Sequence, residues 1–452
     1  MSASLDLVSV FMSGEKPAEK HGIGIEYERL PVDRQTGRAV PYAAPTGPRG
    51  EAGKSIEALL EALSAEHGWE ATREQGHITS LHKEGTRVTL EPGAQIEMSG
   101  QIHRSLKTAR EEVTRFVQTT SEVASRLGVS LLGLGYHPFS DFIEIGWVPK
   151  SRYRIMAPYL ASRGHLAHGM MKGTAGCQVN LDYSSEADAM DKMRVAMAVS
   201  SIVTALCANS PLARGQANGF ATKRSHIWLH TDPDRCGLLR WVFDEGAKYA
   251  DYVSYALSVP MLFVLRDGEL KNMTGRTFNA YLDGDDAGLT PTLADWRLHL
   301  TTLFPEVRLK SYLEVRGSDS GSPDMILAQA ALWKGLLYDD RARTRAFDMV
   351  ERASFEERLS FHRDVSRLGL QAALRGDSAL DLAQSLVRLA EQALPPDEAS
   401  LLEPLRRIAQ LDRASPADLL LKRWSGEWRR DPRRLVASLD PEPELTTATR
   451  QR

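Results

Sequence analysis

The sequence predicts an α+β protein with a mainly antiparallel sheet and helices packed outside it. Short strand-like runs and amphipathic helical segments follow one another in mixed order, so the regular βαβ units of a doubly wound parallel sheet are not expected. Beyond Asp339 the pattern is almost wholly helical as far as Trp428. We therefore predict a single domain over 1–430, with a helical region at 340–430 packed on it, and a flexible polar tail at 431–452.

Elements in the first third of the chain are predicted from apolar spacing and turn residues. Ile56, Leu59, Leu60 and Leu63 share one face of a helix that ends at Gly68. A Pro92-Gly93 turn separates strands of alternating pattern. The predicted helices are 4–13, 54–66 and 105–127; the predicted strands are 22–30, 129–134 and those between 78 and 99; and 31–53 is a loop.

Elements beyond residue 170 are predicted in the same way. The longest apolar run, 195–208, contains serine and threonine, so it predicts a buried helix and is too short and polar to span a bilayer. Ser322 as cap and Pro323 at the first helical position predict a helix start. The predicted helices are 185–208 and 323–338, and the predicted strands are 178–183, 227–230, 261–265 (apolar enough to be central) and 312–316.

Composition and charge exclude several classes of function. Lys and Arg number 56 against 59 Asp and Glu, so no positive excess exists to hold a nucleic acid. The three cysteines, Cys177, Cys207 and Cys236, have neither zinc-ligand spacing nor the density of a secreted scaffold. No signal peptide precedes the first elements, so no membrane association and a cytoplasmic location are expected.

Two glutamates in the first strand are candidates for chemistry. Glu26 and Glu28 are two residues apart, so both carboxylates project from one face of the strand. Like charges so close repel, and a divalent cation would relieve the conflict. The alternative is a half-exposed strand with an ordinary solvated polar face.

Three further strand glutamates extend the pattern. Glu91 and Glu97 flank the Pro92-Gly93 turn, where a hairpin would bring them together, and Glu314 precedes Arg316 on another predicted strand. Together with Glu26 and Glu28 they would form an acid-rich wall. Oxygen ligands in that number suit Mg²⁺ bound with nucleotide phosphates. The spacing alone leaves open whether these segments are adjacent or are separate surface strands.

Taken together, these motifs resemble those of the glutamate–cysteine ligase family of the plant and proteobacterial type. The similarity runs in order from about residue 20 to about 340 and beyond. The segments that carry it are 24–28 (GIEYE), 90–100 (LEPGAQIEMSG), 178–188 (QVNLDYSSEAD), 208–211 (ANSP), 224–228 (RSHIW), 255–261 (YALSVPM), 304–317 (FPEVRLKSYLEVRG) and 332–339 (LWKGLLYD).

The resemblance implies a fold like that of glutamine synthetase, with an antiparallel sheet that cups the active site. It implies that ATP phosphorylates the γ-carboxylate of glutamate, that the amine of cysteine then attacks, and that Mg²⁺ is the cofactor. The implied metal ligands are Glu26, Glu28, Glu91, Glu97 and Glu314, and the implied catalytic residues are Glu28, Arg224 and Arg316. The implied substrate-binding residues are Arg152, Arg154, Met170, Met171, Gln178, Asn180 and Arg224.

Two other functions remain open at this level. One is a ligase that uses glutamate and ATP with a different acceptor amine; the other is a non-catalytic relative that binds nucleotide or glutamate. The expected partners are the small molecules glutamate, cysteine and ATP, and the chain is expected to be a monomer or a homodimer. The isolated cysteines argue against the thiol-based control known for plant members.

Overall fold

The computed structural model describes residues 5–44, 54–284 and 288–440. Its strands are β1 (Ile23–Asp33), β2 (Glu70–Glu74), β3 (His77–Lys83), β4 (Thr86–Leu90), β5 (Ile96–Ser99), β6 (Val129–Leu132), β7 (Gly176–Leu181), β8 (Leu212–Ala213), β9 (Gln216–Ala217), β10 (Cys236–Gly237), β11 (Phe263–Arg266), β12 (Glu269–Asn272), β13 (Phe304–Pro305), β14 (Val307–Leu309), β15 (Leu313–Asp319), β16 (Ala373–Leu374) and β17 (Asp377–Ser378).

The helices lie between and after these strands. They are α1 (Ser9–Met12), α2 (Ile56–His67), α3 (Leu106–Arg126), α4 (Tyr153–Arg163), α5 (Ala167–Gly173), α6 (Glu186–Leu206), α7 (Lys223–Trp228), α8 (Tyr249–Ser258), α9 (Phe278–Leu282), α10 (Leu293–Leu300), α11 (Pro323–Tyr338), α12 (Asp340–Asp348), α13 (Phe355–Leu368), α14 (Ala379–Ala393), α15 (Pro396–Ala399), α16 (Glu403–Arg406), α17 (Pro416–Ser425) and α18 (Pro432–Leu439).

One antiparallel sheet organises the described part of the chain. Its strand order is β14-β15-β7-β1-β5-β4-β3-β2, with β6 paired to the far end of β1. The central strand β1 places Glu28 opposite Glu97 of β5 and Glu26 opposite Gln178 of β7. Because side chains alternate across a strand, this register gathers the polar residues on one face, while Ile25 and Tyr27 enter the core on the other.

Helices cover the apolar face of the sheet. The run predicted to be a buried helix forms the C-terminal part of α6, and nearly all of its residues are buried. Ser185 caps the start of α6, and its hydroxyl accepts a hydrogen bond from the N–H of Asp188. Helix α11 begins with Ser322 and Pro323 as predicted and packs between β7, α6 and α14. The mixed α+β class with its antiparallel sheet is therefore confirmed.

Two strand predictions are wrong. The segment predicted as a strand at 227–230 is instead the end of α7 (227–228) and the turn after it (229–230), because the hydroxyl of Thr222 caps the N–H of Ser225 and starts a helical turn. The apolar segment at 261–265 is not central: β11 pairs with β12 in a separate two-stranded hairpin. In both cases a short apolar run gave no periodicity that distinguishes helix from strand or centre from edge.

The expected flexible tail is also corrected over its first ten residues. Residues 432–439 form α18, which buries Leu435 and Val436 against β6 and α17. After it, Asp440 accepts hydrogen bonds from the guanidinium of Arg29 at 2.9 Å and from the N–H of Leu131 at 3.1 Å. Residues 441–452, and 45–53 of the predicted loop, lie outside the described residues.

A helix that spans a bilayer needs about 20 consecutive, mainly apolar residues. Within the described ranges, no helix is long and apolar enough to cross a membrane.

Candidate active site

Four of the predicted acids line one cavity of about 340 Å³ on the polar face of the sheet. Glu26 and Glu28 project from β1, Glu97 from the neighbouring β5, and Glu91 from the end of β4. Glu91 begins a four-residue turn in which Ala94 has a φ of 70° and donates its N–H to the Glu91 carbonyl. The hairpin predicted from Pro92-Gly93 therefore brings these carboxylates together.

The hydrogen bonds of the β1 carboxylates come from the adjacent strand β7. Glu28 Oε2 accepts the N–H of Gly176 at 2.6 Å, and Glu26 Oε1 accepts Nδ2 of Asn180 at 2.9 Å. Burial, followed by the neighbouring carboxylates, raises the pKa of Glu26 to about 7 and the pKa of Glu28 to about 8. Both side chains thus resist ionisation unless a positive charge is placed beside them.

Glu97 completes the wall in a similar state. It is buried and accepts a hydrogen bond from the hydroxyl of Thr89 on β4. Burial and the charge of Glu91 raise the pKa of Glu97 as well. The cavity therefore contains several neighbouring carboxyl groups, and their ionised forms would be stabilised by a bound cation.

Glu314 differs from the other four acids. It is fully buried, does not line the cavity, and pairs with Arg308 at 2.6 Å, with Lys310 at 2.8 Å and with Arg316. Burial opposes its ionisation, but these three cations outweigh burial and hold the pKa of Glu314 well below its usual range. Glu314 therefore anchors a cluster of positive charge, and the expectation of an open metal-ligating carboxylate does not match its contacts.

Arg224 lies near the start of α7 and is 4% exposed. Its Nη1 donates to the carbonyl of Gly317 at 3.2 Å and its Nη2 to the carbonyl of Arg316 at 3.0 Å. A Cβ on Gly176 would lie 2.5 Å from Arg224 Nη2, so glycine at that position leaves room for the guanidinium where it now lies. These contacts hold a planar cation at the cavity, next to Glu28.

Arg316 and the two polar residues of β7 continue the polar face. The guanidinium of Arg316 lines the cavity and donates to Gln178 Oε1 as well as to Glu314. Gln178 also lines the cavity, whereas Asn180 lies two residues farther along β7, opposite Glu314. The Oδ1 of Asn180 is buried with no hydrogen-bond partner among the described residues.

The remaining predicted residues divide between the cavity and the surface. Arg152, Met170 and Met171 line the cavity, the methionines from α5. Arg154 is exposed, does not line the cavity, and donates to Gln75 Oε1 at 3.3 Å. The structure thus brings Arg152 to the site but not Arg154. Side chains two residues apart at the start of a helix point in different directions.

Several cavity residues were missed in the sequence. Arg308 stands opposite Glu314 in the β14–β15 pair, and Trp228 and Phe304 lie within 6 Å of the Arg316 guanidinium. Alternation of charged residues in 304–317 was a signal for Arg308, whereas Trp228 was hidden by the incorrect strand prediction. Tyr153 closes another part of the wall from α4.

The donor set fits Mg²⁺ bound together with phosphate oxygens. In 5–44, 54–284 and 288–440, no group of three or more His, Cys, Asp or Glu residues is arranged to hold a metal ion by itself. Mg²⁺ commonly takes only one or two protein carboxylates and completes its shell with substrate phosphates and water. The raised pKa values of Glu26 and Glu28 and the orphaned Oδ1 of Asn180 are consistent with such a shared site.

The chain is similar to known glutamate–cysteine ligases. The sequence model described as Glutamate-cysteine ligase family 2 (GCS2) matches residues 22–438. Chloroplastic glutamate–cysteine ligases of Medicago truncatula and Arabidopsis thaliana are each 37% identical over 94% of this chain, covering 82% and 80% of their own lengths. A crystal structure of Francisella tularensis glutamate–cysteine ligase in complex with AMP shares the fold, with a TM-score of 0.58, 13% identity and coverage of 95% and 90%.

These relatives correct one expectation and establish the family. The expected cytoplasmic location is contradicted by the plant relatives, which are named as chloroplastic. The family match covers most of the chain and includes every residue of the acid-lined cavity. The chain therefore belongs to glutamate–cysteine ligase family 2 and is a ligase.

Proposed function

We propose that this ligase joins the γ-carboxylate of L-glutamate to the amine of L-cysteine at the acid-lined cavity, with ATP as co-substrate and Mg²⁺ as cofactor. The observation that carries the proposal is the meeting of Glu26, Glu28, Glu91 and Glu97 with Arg224 and Arg316 around one cavity. Glutamate and ATP are both anions, so a site that binds both needs positive charge. The arginines supply fixed positive charge, and the carboxylates supply ligands for Mg²⁺ ions.

The proposed reaction has two steps. An oxygen of the γ-carboxylate attacks the γ-phosphorus of ATP, giving γ-glutamyl phosphate and ADP. The cysteine amine then attacks the acyl carbon, phosphate leaves, and the amine loses a proton to give γ-glutamylcysteine. Bound Mg²⁺, held by Glu28 with Glu26, Glu91 or Glu97, would neutralise charge on the phosphate oxygens.

The cationic side chains are assigned by their positions. Arg224, with its planar fork fixed by two main-chain carbonyls, suits a carboxylate of glutamate, and Arg152 lies in the same cavity. Met170 and Met171 provide an apolar wall for the glutamate side chain. Arg316 and Arg308 both pair with the carboxylate of Glu314. In this proposal Arg316 faces the phosphates.

Release of ADP by the purified protein tests the function. We expect release to require ATP, Mg²⁺, glutamate and cysteine together, and mass spectrometry to identify γ-glutamylcysteine. Glu28→Gln should abolish turnover without unfolding the protein, whereas the matched control Arg154→Ala, outside the cavity, should keep wild-type kinetics. Equal turnover with an amine other than cysteine would overturn the acceptor assignment, and ADP release by Glu28→Gln would overturn the metal assignment.

A further inference from the structure

An irregularity in β15 carries the two carbonyls that hold Arg224. The register between β15 and β7 shifts between Val315 and Ser318, so Arg316 and Gly317 are outside the regular ladder. Their carbonyls are the acceptors of Arg224 Nη2 and Nη1, at 3.0 and 3.2 Å. The position of this bulge therefore sets the position of the Arg224 guanidinium.

The bulge rests on Glu306 and Thr204. The main-chain carbonyl of Glu306 accepts the N–H of Arg316 at 3.1 Å, and Thr204 Oγ1 donates to the Gly317 carbonyl at 3.2 Å. A Cβ on Gly317 would lie 2.3 Å from Glu306 Oε2 and 2.8 Å from Thr204 Oγ1. The backbone at Gly317 is thus in direct contact with the carboxyl group of Glu306.

Glu306 is buried together with His362 of α13. Glu306 is 8% exposed and His362 is 1% exposed. His362 Nε2 lies 3.6 Å from Glu306 Oε1, and His362 Nδ1 is 2.9 Å from the hydroxyl of Ser201 on α6. The second carboxyl oxygen, Glu306 Oε2, has no hydrogen-bond partner in the part of the chain that the structure describes.

A buried polar cluster with an unpartnered oxygen is not explained by stability. Burying a carboxyl group without complete hydrogen bonding is unfavourable, and apolar side chains of similar volume often stabilise such a position better. The cluster instead links three elements, α6, α13 and the β13–β14 segment, to the backbone of the bulge. The cluster is therefore connected to the active site through the backbone of the bulge.

We propose that Glu306 and His362 are positioning residues that act through the β15 bulge to hold Arg224 in the orientation that binds glutamate. The inference rests on the proposed function, in which Arg224 contacts a carboxylate of glutamate. Neither residue lines the cavity, so neither is assigned contact with substrate.

The test compares steady-state kinetics of Glu306→Gln, His362→Gln and Thr204→Val, with folding checked by circular dichroism. Because Arg224 would bind glutamate equally in the ground and transition states, we expect the KM for glutamate to rise about tenfold while kcat and the KM for ATP change less than about twofold. Thr204→Val nearly preserves the side-chain volume and removes only the hydroxyl that donates to the Gly317 carbonyl. The control Glu398→Gln alters an equally buried glutamate, paired with Lys334 away from the cavity, and should leave all three constants unchanged.

A double-mutant cycle with Arg224→Lys distinguishes the inference from the function on which it rests. If Glu306 acts through Arg224, the glutamate KM of the double variant should equal that of Arg224→Lys alone. The positioning role alone would be overturned if the double variant raised the glutamate KM by the product of the two single effects. It would also be overturned by an unchanged glutamate KM in folded Glu306→Gln and Thr204→Val. An unchanged glutamate KM in Arg224→Lys would overturn the proposed role of Arg224 and the inference with it.

Discussion

Arg308 lies directly opposite Glu314 in the β14–β15 pair, and its Nη2 contacts both carboxyl oxygens, at 2.6 and 2.8 Å. Lys310 and Arg316 pair with the same carboxylate. One fully buried negative charge thus holds three cations at the edge of the cavity. In the proposed function, this arrangement would keep the guanidinium groups ordered before a phosphate binds, which would lower the entropic cost of ordering them on binding.

Glu314→Gln tests this anchor. The substitution keeps the shape but leaves buried cations without their counter-charge, so we expect a loss of about 3 kcal/mol in the free energy of unfolding, measured in urea. The same change at Glu26, whose pKa is raised by burial and by Glu314 and Glu97, should be neutral or stabilising without Mg²⁺. Equal effects of the two substitutions would contradict the opposite electrostatic roles given to these acids.

The raised pKa of Glu28 predicts how stability depends on pH. Since the folded state retains a proton to about pH 8 that the unfolded state loses near pH 4 to 5, the folded state binds more protons in this window. Stability without divalent cation should therefore fall as pH rises from about 5 to 8, by at most about 1.4 kcal/mol per pH unit for each such proton. Urea unfolding at several pH values measures the slope, and Glu28→Gln should make it shallower. An unchanged slope in the variant would show that Glu28 ionises normally.

The sequence predicted the acid wall better than the helix that faces it. Glu26, Glu28 and Glu97 follow strict alternation on strands, so their common face could be predicted once the strands were recognised. Trp228 could not be placed, because a six-residue helix capped by Thr222 has too few turns for its periodicity to show. The charge balance around Glu314 was also hidden, since it depends on cross-strand pairing with Arg308 that spacing does not fix.

Gly176→Ala is expected to weaken glutamate binding. The new methyl carbon would lie 2.5 Å from Arg224 Nη2 and would displace the guanidinium, so we expect the KM for glutamate to rise at least about tenfold. Isothermal titration calorimetry with glutamate measures the same effect without turnover. Gly146→Ala is the matched control, because a Cβ at Gly146 meets nothing within 4 Å. Wild-type glutamate affinity in Gly176→Ala would show that the guanidinium is not held where the structure places it.

The C-terminal helix is expected to support the central strand through a buried ion pair. Arg29 follows Glu28 on β1, points to the opposite face, and is 3% exposed, with Asp440 as its carboxylate partner at 2.9 Å. Asp440→Asn should leave the Arg29 charge buried without compensation and cost about 3 kcal/mol of unfolding free energy. Removing an exposed partner, as in Glu403→Gln beside Arg406, should cost less than about 1 kcal/mol. Urea denaturation of the two variants checks the difference, and equal costs would mean that α18 contributes no more to the sheet than a surface contact does.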